Sequence, residues 1–364
     1  MPYDAAVLAT QVRTVSEMAE AFRDEDECRR IMEAMVWRDG RVCPFCGSLR
    51  SHALAGRDQG CRARPGLYQC AARECRGQFT VTTRTPLHAT KLKLSTWLKA
   101  MWLMLQTDKG MSSPRLAELV GVTQTTAWRM GHALRLMMAG QAKPLSGVVE
   151  ADEMLAGGRP RRDPADPDAR RNRQGHTFKR PVMVAVERPG ALSPGDPPGR
   201  AAATPASGLS ARAVTDSLST VVSATSHLMS DGHGAFAVAG RGFAEHDSVN
   251  HSEWEYVRGQ VHVNSAEGFN DRIRRTVTGV YHHVSQAHLD RYLHEVAFRW
   301  NQRVFVGLAN RRTRSGRVVS RRLYDKRPPS HQMCDLLRRF VGIQFRRTEN
   351  GSLRVLSGQA VFRM

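Results

Sequence analysis

The chain has 364 residues, 41% hydrophobic and 24% charged, which excludes a disordered tail and exceeds one comfortable hydrophobic core. With 54 Lys and Arg against 34 Asp and Glu, its formal net charge of +20 points to a polyanionic partner, most simply nucleic acid. No transmembrane span is predicted, because the most apolar stretch, Leu94 to Leu105, is short and broken by Lys99, and the N-terminus lacks the features of a secretory signal.

Residues 16–37 carry Met18, Ala21, Phe22, Ile31, Met35 and Val36 at helical spacing above an acidic face, which predicts a helical segment over 1–38. Residues 39–90 are rich in cysteine and turns. Of seven cysteines, five crowd between Cys43 and Cys75, and in a cytosolic chain such crowding suggests metal rather than disulfides. Cys43-Pro-Phe-Cys46 and Cys70-Ala-Ala-Arg-Glu-Cys75 form two knuckles, each offering a pair of thiolates to a tetrahedral Zn²⁺. Leu67–Gln69 and Gln78–Thr82 are the candidate strands of a ribbon around them. The second knuckle is two residues wider than the first, which leaves Cys61, His52 and His88 as substitute ligands. Buried free cysteines are the competing reading, and the paired spacing favours structural zinc.

Residues 91–142 read as helices interrupted at Lys109–Gly110 and at Gly121. The run 112–138 has the form helix, glycine turn, helix. Leu116, Leu119 and Val120 are expected to bury one face, and Thr123, Gln124 and Thr126 open the second helix, where a recognition helix presents base-reading groups. An ordinary helical hairpin is the bland alternative. Beyond residue 143, strand-like runs at 147–155, 180–187 and 226–231 and helical patterns at 264–278 and 286–300 argue for one α/β domain with a mixed sheet over 143–305. A basic loop covers 157–180, and the low-complexity stretch 189–211 is expected to be a flexible insertion. The tail 306–364 is the basic footprint, since residues 303–364 hold fifteen basic residues against three acids. The predicted fold class is therefore multidomain α+β.

Three carboxylates stand out by setting. Asp152 lies on an apolar strand, Asp231 ends a strand before Gly232-His233-Gly234, and Glu267 sits near the start of a helix. Phosphodiester cleavage by two hydrated metal ions needs convergent carboxylates from separate elements. Each also has a plain structural reading: Asp231 as a turn residue, Asn264 with Glu267 as a capping box. Glu150 shares the strand face of Asp152, while Glu153 is expected to point oppositely. Arg274 lies two turns beyond Glu267 on the same helical face, and Asp271 is placed to pair with Arg275.

These blocks bring a family into view. The chain resembles the zinc-ribbon insertion-sequence transposases of the ISXO-like group, whose catalytic domain is an RNase H-like fold of the DDE type. The likeness runs from about residue 17 to residue 303. It is carried by CPFCGS, CRGQFTVTTRTPLHATKLKLSTWLKAMWLM, VGVTQTTAWRMGHALR, VVEADEMLAGGR, KRPVMVAVER, MSDGHGAF, HSEWEYV, VHVNSAEGFNDRIRR and GVYHHVSQAHLDRYLHEVAFRWNQR in one order. The resemblance implies that Asp152 and Asp231 are metal-binding aspartates, with Glu267 as the third ligand and Asn264 as its rival. It also implies that Arg274 touches DNA and that Cys43, Cys46, Cys70 and Cys75 hold Zn²⁺. The function implied is that of a cytoplasmic, prokaryotic transposase. It would bind the inverted-repeat ends of its element, cleave them with two Mg²⁺ (or Mn²⁺ as substitute) and join the 3′ ends to target DNA. Work on two ends implies at least a homodimer. The rival readings are a catalytically inactive zinc-ribbon DNA-binding protein and an RNase H-like nuclease directed by DNA structure.

Overall fold

Thr14 accepts a hydrogen bond from the Glu17 N–H while the Glu17 carboxylate accepts from the Thr14 N–H, a capping box that starts α1 (Val15–Ala21). Asp24 caps α2 (Glu25–Val36) through the Glu27 N–H, and Cys28, Ile31, Met32, Met35 and Val36 bury its apolar face. The computed structural model describes residues 12–37, 39–54, 65–139, 143–156, 179–313, 316, 318–339, 343–347 and 353–357. Two units divide the chain: Met1–Thr107 with Ser112–Gly140 and Pro328–Met364, and Asp108–Met111 with Gln141–Arg327.

In the first unit, β1 (Ser51–Ala53), β2 (Tyr68–Cys70) and β3 (Gln78–Phe79) form an antiparallel three-stranded sheet. Trp37 packs edge-on against Tyr68 and Phe79, with centroids 5.5 and 6.0 Å away, and so gives this small sheet an aromatic core. Helix α3 (Leu94–Gln106) is buried almost throughout, as its apolar composition requires. Helix α4 (Ser113–Val120) stops at Gly121, whose φ of +70° suits a residue without Cβ, and α5 (Gln124–Ala139) follows. Leu116 and Ala117 are the buried pair on α4, whereas Leu119 is 39% exposed and Val120 half-buried. The eight-residue helix meets its neighbours through the face centred on 116–117, which leaves Leu119 outside.

The second unit is built on a five-stranded mixed sheet of order β6-β5-β4-β7-β8. Its strands are β4 (Val148–Ala156), β5 (Arg180–Glu187), β6 (Ala201–Pro205), β7 (His227–Asp231) and β8 (Glu245–Val249). β4, β5 and β6 pair antiparallel, while β4, β7 and β8 run parallel. Side-chain alternation supplies two cores. Val149 and Ala151 on β4 with Met183 and Ala185 on β5 meet α6 (Ala211–Ser219) and α7 (Gly234–Ala239). Met154 with Val182, Val184 and Val186 meets Phe269 and Ile273 of α8 (Asn264–Thr276) and Leu293 and Val296 of α9 (Leu289–Asn301).

The stretch 189–211 is not an irregular insertion throughout, because Ala201–Pro205 is an edge strand of this sheet. Alanine favours strands weakly, so composition hid it. Its small side chains let α9 approach closely, and Asn301 hydrogen-bonds both backbone groups of Ala201, at 2.7 and 3.0 Å. Most of the basic loop 157–180 lies outside the described residues.

Past α9, the expected basic tail is three structured segments. β9 (Arg303–Arg312) and β10 (Val318–Lys326) form a long hairpin in the second unit. Helix α10 (Pro329–Arg339) then returns to the first unit, where Arg338 Nε donates to the Met35 carbonyl at 2.7 Å. β11 (Ile343–Arg347) pairs with β12 (Leu353–Ser357). No described helix is long and apolar enough to cross a membrane.

Candidate metal centres and active site

β4 and β7 are in parallel register with Glu150 opposite Met229, and the ladder ends there. Two residues further along each strand stand Asp152 and Asp231, so parity brings their carboxylates to the same face at the open end of the sheet. Glu153 leaves β4 on the other face, as alternation predicts. With no ladder to β7 beyond Glu150, however, its longer side chain still reaches the pair. One carboxylate oxygen from each of Asp152, Glu153 and Asp231 lies within 4.8 Å of the others.

Asn270, 1% exposed on α8, donates to Asp152 Oδ2 at 2.7 Å, and the Glu153 N–H donates to Asp152 Oδ1 at 2.9 Å. Burial pushes the Asp152 carboxyl up to about 6, and the charge of Asp231 adds to it. Burial and the two aspartates push Glu153 up to about 7. Glu153 Oε2 and Asn270 Oδ1 are buried acceptors without a hydrogen-bond partner among the described residues. Clustered oxygens, mutually repelling and short of donors, fit a hard divalent cation.

Glu150 shares a strand face with Asp152 and has the opposite environment. It is fully buried, and its oxygens accept from Arg188 Nε at 3.0 Å, Ser265 N at 2.6 Å, Ser265 Oγ at 3.1 Å and Ala266 N at 3.3 Å. Glu150 therefore caps α8 from the neighbouring strand, which replaces the capping box expected of Asn264 and Glu267. The residue before the helix is Val263, with no side-chain cap of its own. Arg188 extends the clamp to the Gln260 and His262 carbonyls, at 2.6 and 3.1 Å.

In the first unit Cys43, Cys46, Cys70 and Cys75 converge. The Cys43–Cys75 and Cys46–Cys70 sulfur separations are 3.7 and 3.5 Å. Thiolates about 2.3 Å from a tetrahedral zinc stand about 3.8 Å apart, so the set fits Zn²⁺. The first knuckle turns through Gly47 at φ +78°, the second through Arg76 at φ +46°. The four-residue spacing of the second knuckle therefore closes without a substitute ligand. His52 and His88 are exposed, His88 being engaged with the Arg84 N–H at 3.3 Å, and Cys61 lies outside the described residues.

Residues 144–301 match the ISXO2-like transposase domain, and residues 23–78 match the transposase zinc-ribbon domain. The two matches support a zinc-ribbon DDE transposase of the ISXO2-like group. No curated protein matches it.

The remaining sequence-predicted residues of this transposase-family chain fall in three places. Glu267 stands in the first turn of α8, outside the convergent set. It is half-exposed, 3.7 Å from His251 Nδ1, and its charge is among those that raise the Asp152 carboxyl. Asn264 is exposed at the start of the same helix, and Arg274 is exposed in its last turn, while Arg275 pairs with Asp271. Thr123 and Gln124 are exposed and Thr126 half-buried around the start of α5. Thr123 Oγ1 accepts from the Thr126 N–H at 3.3 Å, and Gln124 Nε2 donates to Ser113 Oγ at 2.8 Å. Sequence reasoning passed over Asn270. Its signal was an amide three residues after Glu267 on a face that turns toward β4.

Proposed function

We propose that this chain is an active transposase. It binds the inverted-repeat ends of its own insertion sequence, cleaves them, and joins the 3′ ends to target DNA. The observation that carries the reading is the convergence of Asp152 and Asp231 from adjacent parallel strands, within the segment that matches the transposase domain. A mixed sheet covered by helices on both faces is in keeping with the RNase H-like fold that the resemblance implies.

Two divalent cations, Mg²⁺ or Mn²⁺ in its place, would activate the attacking oxygen and steady the leaving one. Asp152 and Asp231 hold them, and Asn270 fixes the rotamer of Asp152. Glu267 supplies the third ligand, since a carboxylate neutralises a cation better than the amide of Asn264, its rival. Water first displaces the 3′-oxygen at the element's end and leaves a 3′-hydroxyl beside a 5′-phosphate. That hydroxyl then attacks a target phosphodiester, so one P–O bond forms for each one broken and no nucleotide cofactor is consumed.

The four-cysteine ribbon and the α4–α5 pair read the ends, with Thr123, Gln124 and Thr126 directed at bases and Arg274 at a phosphate. At least two copies act together on two ends, in the cytoplasm of a prokaryotic cell. The test is strand transfer on labelled end DNA. Asp152→Asn is expected to bind ends and give no product. The third ligand is whichever of Glu267→Gln and Asn264→Ala falls to that same level. Wild-type protein that binds ends yet never cleaves them in Mg²⁺ or Mn²⁺ refutes the proposal.

A further inference from the structure

The β9–β10 hairpin lies outside both matched segments. Its base is well built. Phe305 is buried, exchanges backbone hydrogen bonds with Gly195 and Asp196 at 2.8 Å, and meets Tyr324 edge-on at 6.0 Å. The Arg303 guanidinium lies 3.6 Å over the Trp300 ring and 4.9 Å from Tyr324.

Beyond that base the ribbon is bare on both faces. Val306, Leu308, Val318, Val319 and Leu323 are 48%, 63%, 55%, 44% and 42% exposed. A solitary two-stranded ribbon is at best marginally stable in water, so one this long and this exposed calls for an occupant. Cross-strand pairing tells which kind. Pairs share a face, so Arg312 and Arg322 stand with Val318 and Leu308, and Arg311 and Arg321 stand with Val319 and Ala309. Val318, Val319, Leu308 and Ala309 thus each stand directly opposite a guanidinium. Among the described residues the ribbon carries one acid, Asp325, and these four arginines enter no ion pair. A subunit interface would segregate its apolar core from charge, whereas a polyanion meets cations on either face.

Between the ribbon and α8 lies a cavity of about 1070 Å³, lined by Arg303, Arg311, Arg321 and Arg322 and by Asn264 and Ser265 at the start of α8. That is above the ordinary range for a small-molecule site, roughly 300–1,000 Å³. Among the described residues its lining holds a single acid, Glu187, already bound by Arg200 Nε at 2.9 Å. A two-stranded ribbon also has the cross-section to enter a major groove, about 12 Å wide.

We propose that the paired strands β9 and β10 and the cavity at their base form a second DNA-binding site, which grips duplex DNA by its phosphates irrespective of sequence and delivers it toward the first turn of α8. The identification of that DNA as the transposition target rests on the proposed function; the binding itself does not.

The test uses full-length, zinc-loaded protein and a random-sequence duplex of about 30 base pairs, with affinity followed by anisotropy from about 50 to 200 mM salt. The triple variant Arg311→Gln/Arg321→Gln/Arg322→Gln is expected to flatten the slope of log K against log salt by about 0.9 for each phosphate no longer neutralised, hence by about 2 to 3. The corresponding Lys variant restores the slope, because a point charge suffices for phosphate. A photo-crosslinking duplex should mark ribbon residues in the wild type, a readout that does not depend on how the variants fold. An unchanged slope with no ribbon crosslinks overturns the proposal. So does a variant that turns dimer into monomer in sedimentation while its salt slope stays the same, which would make the ribbon a contact between copies. Strand transfer is absent from these readouts. Loss of the slope in a protein that never cleaves would sink the transposase reading and leave the ribbon standing.

Discussion

Replacing Asp152 by Asn should make the metal-free protein more stable. Two carboxylates crowd Asp152, and its pKa rises from the ordinary 3.8 to about 6, largely through burial. A carboxyl raised in the folded state binds more protons folded than unfolded between those two values. Stability therefore falls as pH climbs from about 4 to about 6, and it stays lowered above that. Roughly two pKa units at about 1.36 kcal/mol each set a ceiling near 3 kcal/mol. Asn keeps one acceptor where Asp152 serves both the Glu153 N–H and Asn270 Nδ2, so about 1 kcal/mol is returned. The expected net gain is about 1–2 kcal/mol, or roughly 3–6 °C in the unfolding of the second unit. Calorimetry of zinc-loaded protein in buffer free of other divalent ions checks this at about pH 8 and about pH 4. Most of the gain should vanish at the lower pH. Saturating Mg²⁺ at the higher pH should reverse the order, since the wild type then gains about 2.7 kcal/mol at a hundredfold excess over Kd. An Asn variant less stable than wild type at the higher pH without Mg²⁺, or equally favoured at both pH values, would show that the cluster is not a strained, cation-seeking set.

Three further substitutions probe the frame around it. Glu150→Gln leaves the Arg188 guanidinium without its buried counter-charge and should cost about 3–5 kcal/mol in urea unfolding; under about 1 kcal/mol would mean the clamp on α8 is idle. Cys70→Ser should bring bound zinc, measured by mass spectrometry of the metal, from one equivalent to near none, with loss of the near-ultraviolet signal of Trp37. Retained zinc would hand the site to another ligand. Gly199→Ala would set a Cβ 1.7 Å from the Glu187 carbonyl oxygen, a backbone atom with little room to yield. A loss of about 1–3 kcal/mol is expected, and an unchanged melting temperature would refute the close approach.

What could be seen in the sequence follows from how each feature is encoded. β5 was legible to the residue, 180–187, because a run of branched apolar residues buried on both faces leaves its own signature. The four-cysteine cluster was legible because its ligands come in pairs close along the chain. β6 was not, since alanines chosen for clearance beneath α9 look like low complexity. Nor was the ribbon, whose paired arginines and valines read as a basic tail until strand pairing put them on shared faces. Glu153 was misjudged for a different reason. Alternation gives the face from which a side chain departs, but not where the neighbouring strand stops. The open edge after Glu150 is a property of β7's register.

The pair Glu150 and Asp152 shows why residue type alone could not settle the site. Both are acids on one face of one apolar strand, two residues apart, and burial penalises both. Donors from α8 and Arg188 saturate Glu150, so the protein itself meets the cost of its charge. Asp152 receives two donors and faces two further carboxylates, so its charge is left in deficit. The first carboxylate locks α8 against β4. The lock sets the position of Asn270 and Glu267, which share that helix, relative to the second. Reading a buried acid as functional therefore requires counting its donors. By that count Glu150 is the strut, and Asp152, Glu153 and Asp231 form the set that calls for a cation.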